Sequence, residues 1–176
     1  MATTKWVIDP THSEIGFKVK HMMFTNVSGK FESFTAEATT EDENFESANI
    51  TFSADVSSVN TGNTDRDNHL KSGDFFNMDE HDKITFKSTS FTKNSDSDYT
   101  LTGDLSVRGV TKPVTLDVEF GGIGKDPWGN TKAGFSATGK LNRKDFGLTW
   151  NAALETGGVL VSDEVRLVID VQFVKQ

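Results

Sequence analysis

The stretch NTDRDNHLKSGDFF, residues 63–76, gathers Asp65, Arg66, Asp67, His69, Lys71 and Asp74 into one short segment. An imidazole beside carboxylates is material for general acid–base catalysis, and an arginine near a histidine is material for an anion site. The same residues also describe a helix. Thr64 opens T-x-x-D, close to a capping box with Asp67 in place of Glu or Gln. Asp65 and Asp67 suit the positive end of a helix dipole and Lys71 the negative end. Gly73 stands where a glycine ends a helix. A helix near 64–72 therefore absorbs most of the charges, with Leu70 packing inward and Phe75 and Phe76 as anchors. Arg66 and His69 remain, either as partners of local carboxylates or as contacts for an anionic head group.

Other chemistries find less support. The four histidines are His12, His21, His69 and His81. None forms the i, i+4 helical pair of a zincin or an i, i+2 pair on a strand. DRDNHLKSGD lacks the register of a calcium loop, and the chain has no cysteine. No metal and no cofactor is expected. No G-x-S-x-G elbow occurs. KDFG (144–147) comes without an H-R-D loop, and in GGIGKD (121–126) an aspartate follows the lysine where a phosphate loop needs Ser or Thr. LNRKDFGLTWN (141–151) is a better lead. Asn142 and Arg143 can bond carbonyls or anions, and Phe146 and Trp150 supply apolar surface. It reads as a structural corner with Arg143 paired to an acid, or as part of a cavity mouth.

The elements that must position these groups are strands. Ile15, Phe17 and Val19 alternate with polar or small residues over 13–20. The same period of two runs through 49–56, 99–107, 114–120 and 164–173, which is the signature of antiparallel strands with one wet face. Residues 27–38 carry Val27, Gly29 and Phe31, then shift phase to Phe34, Ala36 and Ala38, so a bulge or bend belongs near Glu32–Ser33. With 84–91 and 132–141 the count is eight strands. Residues 40–47 read as a turn, and a shorter helix is possible near 142–146. The 176 residues make one domain, 1–176. Eight such strands suit a closed barrel or a sandwich. Gly29, Ala54, Ser88 and Gly103 either leave space inside or mark bends that leave none.

The net charge is −8, from 26 acids and 18 bases, which argues against a nucleic-acid partner. Residues 1–14 show no apolar leader core, and no stretch approaches the length of a membrane-spanning helix. The expected location is cytoplasmic, or periplasmic if a leader has been removed, with no membrane insertion. There are 14 Phe against 1 Tyr and 3 Trp, so the aromatic surface is built almost without hydrogen-bonding tips.

WVIDPTHSEIGFKVKHMMFTNVSGKFESF (6–34), SVNTGNTDRDNHLKSGDFFN (58–77), ITFKSTSF (84–91), LTGDLSVRGVTKPVTL (101–116) and NRKDFG (142–147), in this order, resemble the YceI family. The resemblance implies an all-β fold: an extended eight-stranded antiparallel barrel of lipocalin-like shape. It further implies a polyisoprenoid or similar amphiphile in a hydrophobic tunnel, a homodimer, and no enzyme activity. Together with the alternation, it assigns the apolar lining to Ile15, Phe17, Val19, Phe31, Phe52, Phe86, Leu101, Leu105, Phe135 and Trp150. His21, Arg66, His69, Asn142 and Arg143 are the polar rim. The function expected is non-catalytic transport or storage of a long apolar amphiphile, such as a polyisoprenoid or an isoprenoid quinone. Two alternatives stand beside it: an enzyme acting on an amphiphile through His69 and Asp67, and a filled-barrel interaction module.

Overall fold

The computed structural model describes residues 2–152, Leu154 and residues 160–176. The strands are β1 (Thr3–Ile8), β2 (Glu14–His21), β3 (Thr25–Phe31), β4 (Phe34–Glu41), β5 (Asn44–Asp55), β6 (Val59–Asn60), β7 (Lys83–Lys93), β8 (Asp98–Val107), β9 (Val110–Lys125), β10 (Thr131–Asn142) and β11 (Val161–Lys175), with helix α1 (Thr64–Lys71) between β6 and β7. All pair antiparallel in one sheet. The eleven segments make eight staves because three staves are broken. β1 and β2 both pair along β11, at Ile8↔Phe173 and Ile15↔Ile169. β3 and β4 form one stave, and so do β5 and β6. The β1–β11 pairing closes the ring, so the fold is a closed eight-stranded antiparallel barrel with one helix.

Both major breaks have physical causes. At Glu32–Ser33 the inward phase passes from Phe31 to Phe34, as the sequence pattern requires. At 9–13 the chain makes a turn of 3₁₀ helix. It stays stitched to β11 through Asp9 N–H to the Gln172 carbonyl (2.8 Å) and Gln172 N–H to Ser13 Oγ (3.0 Å). Asp9 holds this bend. Its carboxylate accepts from Lys132 Nζ (2.8 Å) and from the Thr11 backbone and hydroxyl, and lies 2.8 Å from His12 Nδ1. Lys132 above all, then Thr11 and His12, hold the Asp9 carboxyl well below the usual carboxylate range. A depressed native pKa adds stability above the unfolded value, about 3.9, and that stability is lost as pH falls below it. Asp9→Asn should therefore destabilise the barrel at neutral pH by on the order of 1–2 kcal/mol and flatten its loss of stability below about pH 4. Urea midpoints at neutral and acid pH check this, and an unchanged acid limb would refute it.

The interior divides into two packed regions. At the end bearing β1, Trp6 is fully buried and donates its indole N–H to Thr40 Oγ1 (3.0 Å). Around it lie Phe45 (ring centroids 4.8 Å apart), Phe91, Tyr99, Phe120, Phe135 and Phe173. This aromatic floor contains two features the sequence pattern misassigns. β1 is absent from the expected strands, and Phe45, expected in a turn, lies in β5. The turn there is only two residues long, with Asp42 at φ 54°. At the opposite end, Phe31, Val56, Val59, Phe75, Phe146 and Leu148 pack beneath the segment that carries α1.

The helix forms as expected, but its caps differ. Asn63, not Thr64, is the N-cap, accepting from Arg66 N–H (2.9 Å). Asp67 is taken instead by the Thr61 amide (2.8 Å) and hydroxyl (2.6 Å). The helix stops at Lys71, and its C-cap is Ser72 in extended conformation, so Gly73 does not supply a left-handed stop. Asn63→Ala should lower stability by about 1 kcal/mol, whereas Thr64→Ala should change it by less than about 0.5 kcal/mol. Thermal melts of the pair test the assignment, and the reverse ranking would restore Thr64.

Candidate functional site

Between the aromatic floor and the helix the barrel encloses a cavity of about 570 Å³, within the roughly 300–1,000 Å³ span common to small-molecule sites. It follows the barrel axis. Ile8, Phe45 and Phe173 lie at its floor, Phe52, Leu105 and Val114 at mid-height, and Leu70, Phe75 and Trp150 at its head. All ten residues assigned to the apolar lining face it: Ile15, Phe17, Val19, Phe31, Phe52, Phe86, Leu101, Leu105, Phe135 and Trp150.

The cavity stays open because of how the phenylalanines lie. A Cβ at Gly29 would fall 2.4 Å from the Phe17 ring, and one at Gly103 2.4 Å from the Phe86 ring. These glycines therefore let rings lie back against the wall, and the freed space is along the axis. Ser88 acts differently, since its Oγ accepts from Ile50 N–H (2.8 Å) beside the irregular pairing at Ser88/Ser90. Gly16, Ala36, Ala38, Ala54 and Ala137 are the small residues that line the cavity directly.

Polarity is confined to one end. Among the described residues the polar lining is Lys20, His21, Thr61, Asp65, Arg66, His69 and Arg143, and all belong to the head of the barrel. Arg66 donates from Nε to Thr61 Oγ1 (2.8 Å) and from Nη2 to the Thr61 carbonyl (2.7 Å). His69 Nε2 sits 2.9 Å from Asp74, while its ring meets Trp150 (4.6 Å) and Phe75 (5.0 Å) edge-on. These three rings make an aromatic collar at the mouth. Asp67, engaged with Thr61, is not the polar partner of His69.

The structure separates the two residues of the 142–143 pair. Asn142 does not line the cavity, because its side chain caps the following 3₁₀ turn by accepting from Lys144 N–H (3.0 Å). Arg143 does line it but is 2% exposed. Four of its five N–H groups go to carbonyls: Nε to Ser162 (2.9 Å), Nη1 to Leu148 (2.6 Å) and Trp150 (2.8 Å), and Nη2 to Val161 (3.2 Å). Asp163 is 3.9 Å away. Burial pulls the Arg143 pKa down from its ordinary value, and Asp163 opposes that shift. Arg143 is thus a corner residue whose partners are mainly carbonyls. Among the lining residues the pattern did not single out for the cavity are Lys20, Thr61, Asp65, Leu160 and Val161 at the head and Ile8, Phe45 and Phe173 at the floor. Among the described residues, no three His, Asp or Glu side chains converge in a metal-binding group, and no helix is long and apolar enough to cross a membrane.

Comparison with known proteins places this architecture. The family described as the YceI-like domain matches residues 6–173. The UPF0312 protein SA2479 of Staphylococcus aureus strain N315 is 41% identical over 171 residues, spanning 97% of this chain and 97% of that protein. The crystal structure of the Campylobacter jejuni YCEI protein superposes with a TM-score of 0.78 at 33% identity, covering 89% of this chain and 90% of that one. A polyisoprenoid binding domain from Saccharophagus degradans, implicated in plant cell wall breakdown, shares the fold with a TM-score of 0.65 at 14% identity, covering 97% and 98%.

Proposed function

The chain belongs to the YceI-like family, and from that premise we propose that it binds a long apolar amphiphile, a polyisoprenoid or isoprenoid quinone, along its barrel axis and carries or stores it without chemical conversion. The observation that carries the reading is the distribution of polarity. The shaft is apolar from Phe173 to Leu70, and every polar lining residue described is at the head. Such a tunnel matches a molecule with a long hydrocarbon body and one polar end. Each buried CH₂ contributes roughly 0.8 kcal/mol, so chain length supplies affinity and few polar contacts are needed. The Saccharophagus degradans domain, named for polyisoprenoid binding, adds support at the level of fold.

In this reading the ten lining residues hold the hydrocarbon. His21, Arg66 and His69 meet the polar end, and Arg143 keeps the mouth in shape. Binding without turnover is favoured by the state of the candidate acid–base groups: Asp67 is hydrogen-bonded to Thr61, and His69 pairs with Asp74 outside any nucleophile arrangement. Denaturing extraction of purified protein followed by lipid mass spectrometry tests the proposal. One long-chain isoprenoid at near-stoichiometric yield is the expected result. A protein that carries none and takes up no added isoprenoid quinone would overturn it.

A further inference from the structure

We propose that the tip of the β2–β3 hairpin docks the tunnel mouth onto an anionic lipid bilayer. This inference rests on the reading of the tunnel as a site for a membrane-dwelling amphiphile. Three residues form the tip: Met22, Met23 and Phe24, exposed by 39%, 55% and 78%. Apolar side chains at such a position are not imposed by the turn. Phe24 N–H bonds the His21 carbonyl (3.1 Å), and Met22 and Met23 sit between them at φ 52° and 63°. That is a β-turn with both central residues left-handed, inside the three-residue connection between His21 and Thr25, a conformation that favours asparagine and glycine. The sequence instead places two methionines there and follows them with phenylalanine.

The hairpin that carries the tip is charged oppositely to the molecule as a whole. Residues 14–31 contain Lys18, Lys20 and Lys30 against the single acid Glu14, a net +2 in a chain of net −8. All three lysines are exposed, and none makes an ion pair among the described residues. An apolar tip with Lys20 and Lys18 close behind it, and Lys30 further up the same hairpin opposite Gly16, is what an anionic bilayer surface attracts: the nearer lysines meet lipid phosphates while the tip enters the headgroup–acyl boundary. A second copy of the chain fits less well, because a two-fold contact through the tip would bring both sets of lysines together. The patch is also continuous with the site. Lys20 and His21, which immediately precede the tip, and Val27, which follows it, line the tunnel. Docking there would let a hydrocarbon chain pass from bilayer to tunnel without crossing open water. The other strongly exposed aromatic, Trp128, lies in the β9–β10 turn at the far end of the barrel.

Flotation of the full chain with phosphatidylcholine vesicles, with and without phosphatidylglycerol, tests the surface. Binding should require phosphatidylglycerol. It should weaken about fivefold for Lys18→Gln, less for the more distant Lys30→Gln, and roughly tenfold for Phe24→Ser. These residues lie outside the tunnel lining, so uptake of a long-chain isoprenoid quinone delivered from detergent, read by quenching of tryptophan fluorescence, should be unchanged in all three variants. No flotation with either vesicle, or flotation indifferent to the three variants, overturns the proposal. So does a dimer that Phe24→Ser dissociates in the absence of vesicle binding, which would assign the tip to a second copy. Flotation without quinone uptake supports the docking surface and removes the tunnel reading, whereas uptake without flotation does the reverse.

Discussion

Replacing Arg143 with alanine should destabilise this protein by about 3–5 kcal/mol and lower its melting temperature by about 10 °C. The reason lies in what the guanidinium leaves behind. Leu148, Trp150, Val161 and Ser162 each direct a carbonyl at Arg143. They belong to the corner after β10 and the start of β11, beyond the last β10–β11 pair at Asn142↔Glu164; the Val161 carbonyl also accepts from Asn151 Nδ2 (2.7 Å), so the loss falls mainly on the other three. A buried acceptor stripped of its donor costs about 1–3 kcal/mol, and part of the sum is recovered as water enters beside the mouth. Arg143→Lys should rescue only part of the loss, because a single ammonium cannot reach four acceptors as the planar fork does. Asp163→Asn should change stability by less than about 0.5 kcal/mol, since that carboxylate is 46% exposed and 3.9 Å distant. A melting temperature for Arg143→Ala within a degree or two of the parent would sink the assignment. A large effect of Asp163→Asn would return the ion pair to first place. The same loss should loosen the mouth, because Trp150 of the aromatic collar is held through its backbone carbonyl by Arg143.

The contrast between what the sequence disclosed and what it concealed follows the range of the interactions. Period-two alternation is a local signal with one buried face, so the inward set could be read off directly, including the phase change that folds Phe31 and Phe34 inward across the Glu32–Ser33 break. The fate of the small residues was open, because a glycine leaves space only if nothing fills it. At Gly29 and Gly103 a neighbouring strand's ring fills it, and that depends on register. β1 escaped notice because TTKWVI is short and its partners lie at 37–41 and 173–175. The helix was legible, but its cap was misplaced by one residue. The T-x-x-D pattern describes Thr64 and Asp67 as partners, yet Asp67 finds Thr61 in the preceding loop, which frees Asn63 to cap. Arg143 could be recognised as a corner residue, but its carbonyl partners up to 19 positions away could not.

Leu105→Trp should divide ligands by length. Leu105 sits at mid-height, packed against both the aromatic floor and the head region, and its side chain faces the cavity. An indole there would fill the axis between Phe52 and Val114 and cut the tunnel into a head chamber and a sealed floor. A chain that reaches past this point loses its distal contacts. At about 0.3 kcal/mol per heavy atom, one five-carbon isoprene unit is worth about 1.5 kcal/mol, or roughly tenfold in affinity. A ligand with several units below Leu105 should therefore lose binding by several orders of magnitude, while one short enough to end above it should bind nearly as before. The comparison needs a series of isoprenoid quinones of increasing chain length, measured by tryptophan quenching on the parent, Leu105→Trp and Leu105→Ala. Leu105→Ala separates blockage from damage: it costs about 2–5 kcal/mol of stability by enlarging the cavity, yet leaves the shaft open and should keep long chains bound. If the barrel were a filled interaction module, Leu105→Trp would act only by overpacking, costing about 1–3 kcal/mol, with no dependence on chain length in any variant. A length-dependent break that appears only with tryptophan is the result that a continuous tunnel requires.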